Sequence, residues 1–162
     1  MSPRAAWRLE RLGFGEIYDF SAGKAAWLAM GWPREGRLAA TPNAGEVART
    51  GTPTCLLDDQ VGDVREKVLE VGRDVCIVTN SEGIVQGRLK VAALSEKPEV
   101  TAEEAMELGP TTVRPNEPLT PLVDRMKKRG VHTIVVTDLR GKLFGVLYRN
   151  YAERSMANRT QP

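Results

Sequence analysis

Residues 53–89, PTCLLDDQVGDVREKVLEVGRDVCIVTNSEGIVQGRL, recur at 110–147 as PTTVRPNEPLTPLVDRMKKRGVHTIVVTDLRGKLFGVL, with a one-residue gap near the start. Past that gap the spacing is constant. Gly72 answers to Gly130, Val78 to Val136, Thr79 to Thr137, Gly83 to Gly141, Gly87 to Gly145 and Leu89 to Leu147. Glycines shared at turns and apolar residues shared at strand centres fix backbone geometry, so the chain holds two copies of one fold unit. Two such halves pack about a pseudo-twofold, and the clefts between them are natural ligand sites. Function must therefore be argued from what lines the clefts.

The elements repeat with the residues. In the first copy, 54–57 reads as a short strand and 61–71 as a helix with Val64, Val68 and Val71 on one face. Residues 75–79 form a buried strand, 80–83 a polar turn, and 84–89 a strand that leads into a short helix. The second copy supplies 111–114, 119–129, 133–137, the turn 138–141, 142–147 and a last helix over 148–157. Ahead of the repeats, 4–12 and 22–30 read as helices, with the strand-like GEIYDF between them. Residues 33–52, rich in Pro, Gly, Thr and Asn, read as a linker with one helical turn near 46–49. Thr101 and Glu104 form a Thr-x-x-Glu capping box, which starts a helix carrying Ala105, Met106 and Leu108.

Composition narrows the function by exclusion. Lys and Arg total 23 against 21 Asp and Glu, too balanced to imply nucleic acid or an anionic membrane. The start, MSPRAAWRLERLG, carries charges where a signal peptide needs an apolar run, and no stretch reaches membrane-spanning length, so the expectation is cytoplasmic. Two cysteines make neither a disulfide framework nor a zinc site, and Cys76, inside VCIVT, reads as a small buried hydrophobe. His132 is the only histidine, and no metal is expected. Arg125-Met126-Lys127-Lys128-Arg129 reads as a helix C-terminus whose cations complement the dipole, with Met126 in the core. Glu103, Glu104 and Glu107 read as capping and surface charge, and Asp58-Asp59 as a helix cap. No Walker loop or catalytic triad is present, so no catalytic residue is expected and the chain reads as a non-enzyme.

The order of elements, with Ile134-Val135-Val136-Thr137-Asp138-Leu139-Arg140-Gly141-Lys142-Leu143-Phe144-Gly145 as its best-preserved stretch, resembles the cystathionine-β-synthase (CBS) domain family. Met106 and Gly109-Pro110-Thr111-Thr112-Val113-Arg114-Pro115 look like that family's entry strand. The likeness covers roughly 53–156. It implies an α/β (α+β) fold: a tandem CBS pair, or Bateman module, of two β-α-β-β-α repeats, here with an N-terminal α/β extension. It also implies a regulatory module that takes AMP, ADP, ATP or S-adenosylmethionine between the copies and dimerises through the repeats. The earlier stretch, with Ala22-Gly23, Trp27, Gly31 and Pro33, resembles the end of a rhodanese domain. The cysteine loop of a rhodanese would lie upstream of residue 1, so sulfurtransferase activity is not expected. The resulting division is 1–36 rhodanese-like, 37–52 linker, 53–100 first repeat, 101–157 second repeat and 158–162 tail.

Nucleotide-binding members of the family follow the last strand with Gly-hydrophobic-x-Thr/Ser-x-x-Asp, whose hydroxyl contacts phosphate and whose carboxylate accepts from ribose hydroxyls. Here Lys90 and Ala93 take those two places in the first copy, and Tyr148 and Tyr151 in the second. The candidate ligand residues are Arg88, Lys90, Tyr148 and Arg149, with Thr54, Thr111, Thr112 and Thr133 from the strands. Cations near a helix start favour anions, and tyrosines offer an aromatic face. Two readings stay open. One is a non-catalytic sensor of an adenosine-containing or other anionic metabolite. The other is a ligand-free scaffold that dimerises and recruits a protein partner, with Trp7, Trp27 and Trp32 in its tail.

Overall fold

The computed structural model describes residues 3–29, 32–36, 41–90, 92 and 98–160. Gly31, Ala93 and most of the helix expected after the first repeat's last strand lie outside the described residues.

Each half is framed by a small sheet. The first contains β1 (Thr54–Cys55), β2 (Val75–Thr79), β3 (Val85–Lys90) and β4 (Glu107–Leu108), in that spatial order. The second contains β5 (Thr112–Val113), β6 (Thr133–Thr137) and β7 (Leu143–Tyr148). The repeat holds down to register. β1 runs parallel to β2 with Thr54 opposite Ile77, and β5 parallel to β6 with Thr112 opposite Val135. Both antiparallel hairpins shift register at matching places, Val78/Thr79 and Val136/Thr137. Their turns close identically: the Asn80 side-chain oxygen accepts from the Ile84 amide (2.9 Å), and that of Asp138 from the Lys142 amide (2.9 Å). The pseudo-twofold passes between these turns. There Ile84 bridges Lys142, the Val85 amide donates to Gly141 (3.0 Å) and the Leu143 amide to Gly83 (3.1 Å).

This symmetry explains why VCIVT is buried at every position. Cys76 and Val78 face α4 (Val61–Glu70) in the first core, with Val61, Val64, Val68 and Leu89. Val75 and Ile77 point the other way, against Val135 and Val146 of the second half. A strand buried on both faces has no polar phase, and each such side chain contributes about 1.5–3 kcal/mol by burial. The second core gathers Val113, Leu119, Leu122, Val123, Met126, Ile134, Val136 and Leu147 under α6 (Leu119–Lys128). Met126 is fully buried and the basic residues occupy the last turn of α6, as expected. Cys76 is buried, and the adjoining Cys55 thiol together with burial pushes its thiol far up, so it stays protonated.

The segment read as a linker carries structure of its own. Helix α3 (Ala44–Val47) is capped by Asn43, whose side chain accepts from the Glu46 amide, and it packs on the second half. Ala44 donates to Glu117 (2.8 Å), Gly45 to Pro115 (2.8 Å), and Leu119 donates back to Pro42 (2.9 Å). Helix α5 (Ala102–Ala105), with its Thr101/Glu104 capping box formed, does the same on the first half. Ala102 donates to Asp59 (2.8 Å), Glu103 to Leu57 (2.9 Å), and Val61 donates to Val100 (3.0 Å). Each core is thus completed by the helix that precedes the other copy's repeat.

Four expectations are corrected. GEIYDF forms no strand: among the described residues no strand pairs with it to satisfy its backbone groups. Leu108 leaves the helix and stands in β4, exposed, because α5 ends after one turn. Val71 lies past the end of α4 and is exposed. Asp59 does not cap α4: Gln60 holds the cap position, while the Asp59 carboxylate accepts from the Leu56 amide (3.0 Å).

The N-terminal extension has α1 (Pro3–Arg11) and α2 (Gly23–Ala29). Phe20, Trp27 and Trp32 form an aromatic cluster with centroids 4.7–5.6 Å apart. Arg34 ties the extension to the repeats through the Thr41 carbonyl (2.6 Å) and the Glu46 carboxylate (2.7 Å). No helix among the described residues is long and apolar enough to cross a membrane.

Candidate functional site: an arginine-lined cleft between the halves

Where β7 runs into α7 (Arg149–Thr160), a cleft of about 410 Å³ opens against the loop Gly72-Arg73-Asp74 of the first half. Three segments far apart in sequence line it: Arg49; residues 72–74; and Tyr148, Asn150, Tyr151 and Arg154.

Arg49 arrives there through a close backbone approach. Its amide donates to Val146 (2.9 Å) and its carbonyl accepts from Val146 (3.0 Å), so residue 49 lies flat on β7. That contact requires Gly145, since a Cβ there would sit 2.6 Å from the Arg49 carbonyl oxygen. The guanidinium then lies 4.4 Å over the Tyr151 ring, a cation–π contact that holds the charge at the cleft wall. Arg73 and Arg154 supply two more cations. Among the described residues none of the three is ion-paired to a carboxylate, although Asp74 lines the same cleft.

Tyr148 is the remaining unusual group. Its hydroxyl is buried without a partner at hydrogen-bond geometry. Burial first, and the Asp74 carboxylate second, push it up to about 12, so it stays neutral at physiological pH. A neutral phenol beside unpaired guanidiniums is a hydrogen-bond donor suited to an anion's oxygen.

The other sequence candidates lie elsewhere. Arg88 and Lys90 both close on Glu107, through Nε–Oε2 and Nζ–Oε1 contacts of 2.7 Å each. These two hydrogen bonds hold the Glu107 carboxyl below its usual range. Arg149 turns toward the second half's own loop, donating to the Val131 carbonyl (3.3 Å) and meeting His132 Nδ1 at 3.2 Å. Thr54, Thr111 and Thr112 are exposed, and Thr133 pairs with Tyr148 across the β6–β7 ladder. Of the eight candidates, only Tyr148 lines the cleft. No group of three or more metal-ligating side chains is present among the described residues.

Arg49, Arg73, Asp74, Asn150 and Arg154 escaped the sequence reading, and for Arg49 a signal existed. Asn43-Ala44-Gly45-Glu46 answers to Thr101-Ala102-Glu103-Glu104 at the same spacing as the rest of the repeat. Both are cap-x-x-Glu starts. Extending the repeat back to residue 43 would have placed Arg49 opposite Glu107.

Comparison with known proteins agrees with this architecture. Residues 102–151 match the family model of the CBS domain. CBSX2 from Arabidopsis thaliana is similar over 76% of this chain and 99% of its own, with a TM-score of 0.67 and 16% identity; the protein is also known in complex with AMP. The cytosolic domain of the Mg2+ channel MgtE, in complex with ATP, is similar with a TM-score of 0.65 and 17% identity over 73% of this chain. The present chain spans about half, 51%, of that domain. The CBS domain pair of MJ0100, in complex with 5-methylthioadenosine and S-adenosyl-L-methionine, has a TM-score of 0.65 and 13% identity, covering 74% of this chain and 99% of that one. No curated protein matches the sequence. The resemblance of residues 1–36 to a rhodanese end finds no support in these matches. A CBS domain is thus detected over residues 102–151, and the two sheets with their helices have the fold of a CBS pair.

Proposed function

We propose that this chain is a non-catalytic regulatory CBS pair that binds one anionic, adenosine-containing metabolite in the cleft of Arg49, Tyr148 and Tyr151. The observation that carries this reading is the three arginines converging on one concave site without carboxylate partners, beside two tyrosine rings. Guanidiniums recognise phosphate or carboxylate oxygens by paired N–H donors. Tyr151, where the family's ribose carboxylate would stand, offers a ring face to a base instead. Asp74 supplies the acceptor for ligand hydroxyls from the opposite half.

Such a ligand would bridge three segments that only tertiary structure brings together, so its binding free energy adds to the stability of the paired halves. It would also fix residue 49, whose neighbour α3 joins the N-terminal extension through Glu46 and Arg34. That connection is the route by which occupancy would reach a partner protein. A homodimer built on the repeats is part of the same proposal.

The test is a thermal-shift series with AMP, ADP, ATP, S-adenosylmethionine and 5-methylthioadenosine. At a hundredfold excess over Kd, a ligand adds about 2.7 kcal/mol, which for a chain of this size raises Tm by roughly 5–10 °C. AMP, ADP and ATP, which carry phosphate, should act, and the uncharged 5-methylthioadenosine should not. A flat response to all three nucleotides at millimolar concentration overturns the proposal.

A further inference from the structure

The N-terminal extension creates a second cavity, away from the arginine cleft. It measures about 640 Å³ and lies between α2, with the stretch that follows it, and the segments 41–43 and 116–118 of the second half. Small-molecule sites span about 300–1,000 Å³. Its walls are apolar and stiff, built from Trp27, Leu28, Pro33, Pro42 and Pro118. The Trp27 indole N–H donates to the Pro33 carbonyl (2.8 Å), and its ring packs edge-on against Phe20 and Trp32. The residue nevertheless stays 36% exposed, which leaves ring surface for an occupant. A wall held in this way needs little further ordering when a ligand arrives.

Three charged side chains line the same cavity, and they are not equivalent. Arg34 is engaged by the Thr41 carbonyl and the Glu46 carboxylate. The side chains of Lys24 and Glu35 have no ion-pair partner among the described residues, nor do they pair with each other. One uncompensated cation and one uncompensated anion beside an apolar wall match a zwitterion with an apolar body. A fatty acid would satisfy Lys24 but set its carboxylate near that of Glu35, and an amine would meet the reverse conflict. We propose that this cavity binds a free α-amino acid with a large apolar side chain. Its carboxylate faces Lys24, its ammonium faces Glu35, and its side chain lies against Trp27 and Leu28. The occupant touches the extension and the second half together, so binding strengthens the docking of one on the other. The site shares no lining residue with the arginine cleft and does not rest on the function proposed above.

Isothermal titration of the full chain with L-phenylalanine and L-leucine tests this, beside three fragments of phenylalanine. These are 3-phenylpropionate without the ammonium, 2-phenylethylamine without the carboxylate, and glycine without the side chain. At least one of the two amino acids is expected to saturate at one per chain. Every fragment should bind at least about tenfold more weakly, since each forfeits a charge-assisted contact or the apolar one. Lys24→Gln and Glu35→Gln, both changes at exposed residues, should each weaken amino-acid binding roughly tenfold and leave the Tm of the free chain unchanged. The fragment comparison uses the unaltered chain and stands even where a variant fails to fold. No saturation by either amino acid at millimolar concentration, or a fragment that binds as tightly as phenylalanine, overturns the proposal.

Discussion

Arg49 and Glu107 occupy the same place in the two halves and carry opposite charge. Each lies in antiparallel register on the last strand of a hairpin, Arg49 against Val146 and Glu107 against Arg88. Arg49 leaves its charge over a tyrosine ring at the mouth of a cleft, whereas Glu107 closes on two cations. One position of the repeat thus carries opposite charges in the two halves.

Arg49→Ala is expected to weaken nucleotide binding by roughly 10- to 100-fold. A charge-assisted hydrogen bond is worth about 1.5–3 kcal/mol, and each 1.4 kcal/mol is about tenfold in Kd. Stability should change little, because an exposed cation–π contact supplies only about 0.5–1 kcal/mol. Calorimetric titration beside a melting curve separates the two effects, and equal ATP affinity in the variant would remove Arg49 from the site.

Gly145→Ala and Gly87→Ala occupy matching positions but should differ in cost. A Cβ at 145 meets the Arg49 carbonyl oxygen at 2.6 Å, which is backbone, and forces residue 49 off β7. At 87 the obstruction is the Met106 side chain, with Sδ and Cγ closest, and a methionine re-packs. Gly145→Ala should lose about 1–3 kcal/mol together with ligand affinity. Gly87→Ala should lose less and keep affinity. Urea denaturation of both variants measures the difference, and equal losses would contradict the contact.

Tyr148→Phe removes a buried hydroxyl whose interaction with the Asp74 carboxylate falls short of hydrogen-bond geometry, and should change the stability of the free protein by no more than about 1 kcal/mol. The pH dependence follows from the direction of its shift. With the folded phenol raised to about 12 from an ordinary value of 10, the neutral form is favoured by folding. That stability is fully present below pH 10 and is lost as pH rises through 12. The variant should therefore show a shallower alkaline decline in Tm, and an unchanged decline would show that folding does not favour the neutral phenol.

Asn43→Ala should cost more than Thr101→Ala. Both residues cap a one-turn helix, but Asn43 is buried and also donates to the Glu46 carboxylate at 2.9 Å, whereas Thr101 is partly exposed. Cap removal costs about 0.5–2 kcal/mol, with Thr101 expected near the lower end and Asn43 at the upper. Chemical denaturation ranks them, and the reverse order would argue against α3 as a structural part of the second half.

The repeat was legible because its signals are local. Gly72 with Gly130, the Asn80 and Asp138 turns, and the apolar-centred strands Val75–Thr79 and Thr133–Thr137 each depend on a few neighbouring residues. The site was mostly hidden because it is built from distant ones. Arg49 reaches Val146 only through the crossing of α3, and its Pro- and Gly-rich surroundings read as a loop. Arg88 and Lys90 sit where the family pattern points, but no local rule shows Glu107 folding back to neutralise them. GEIYDF has the strand-forming residues Ile17, Tyr18 and Phe20, yet pairs with no strand among the described residues, and residue character alone does not supply a partner.

The most direct measurement is a backbone amide NMR titration of the wild-type chain with ATP. The proposed function predicts saturable shifts at Arg49, Gly72, Arg73, Asp74, Asn150 and Tyr151, with Arg88, Lys90 and Glu107 unmoved. Absence of any saturable shift, or shifts centred on Arg88 and Glu107 instead, would contradict it.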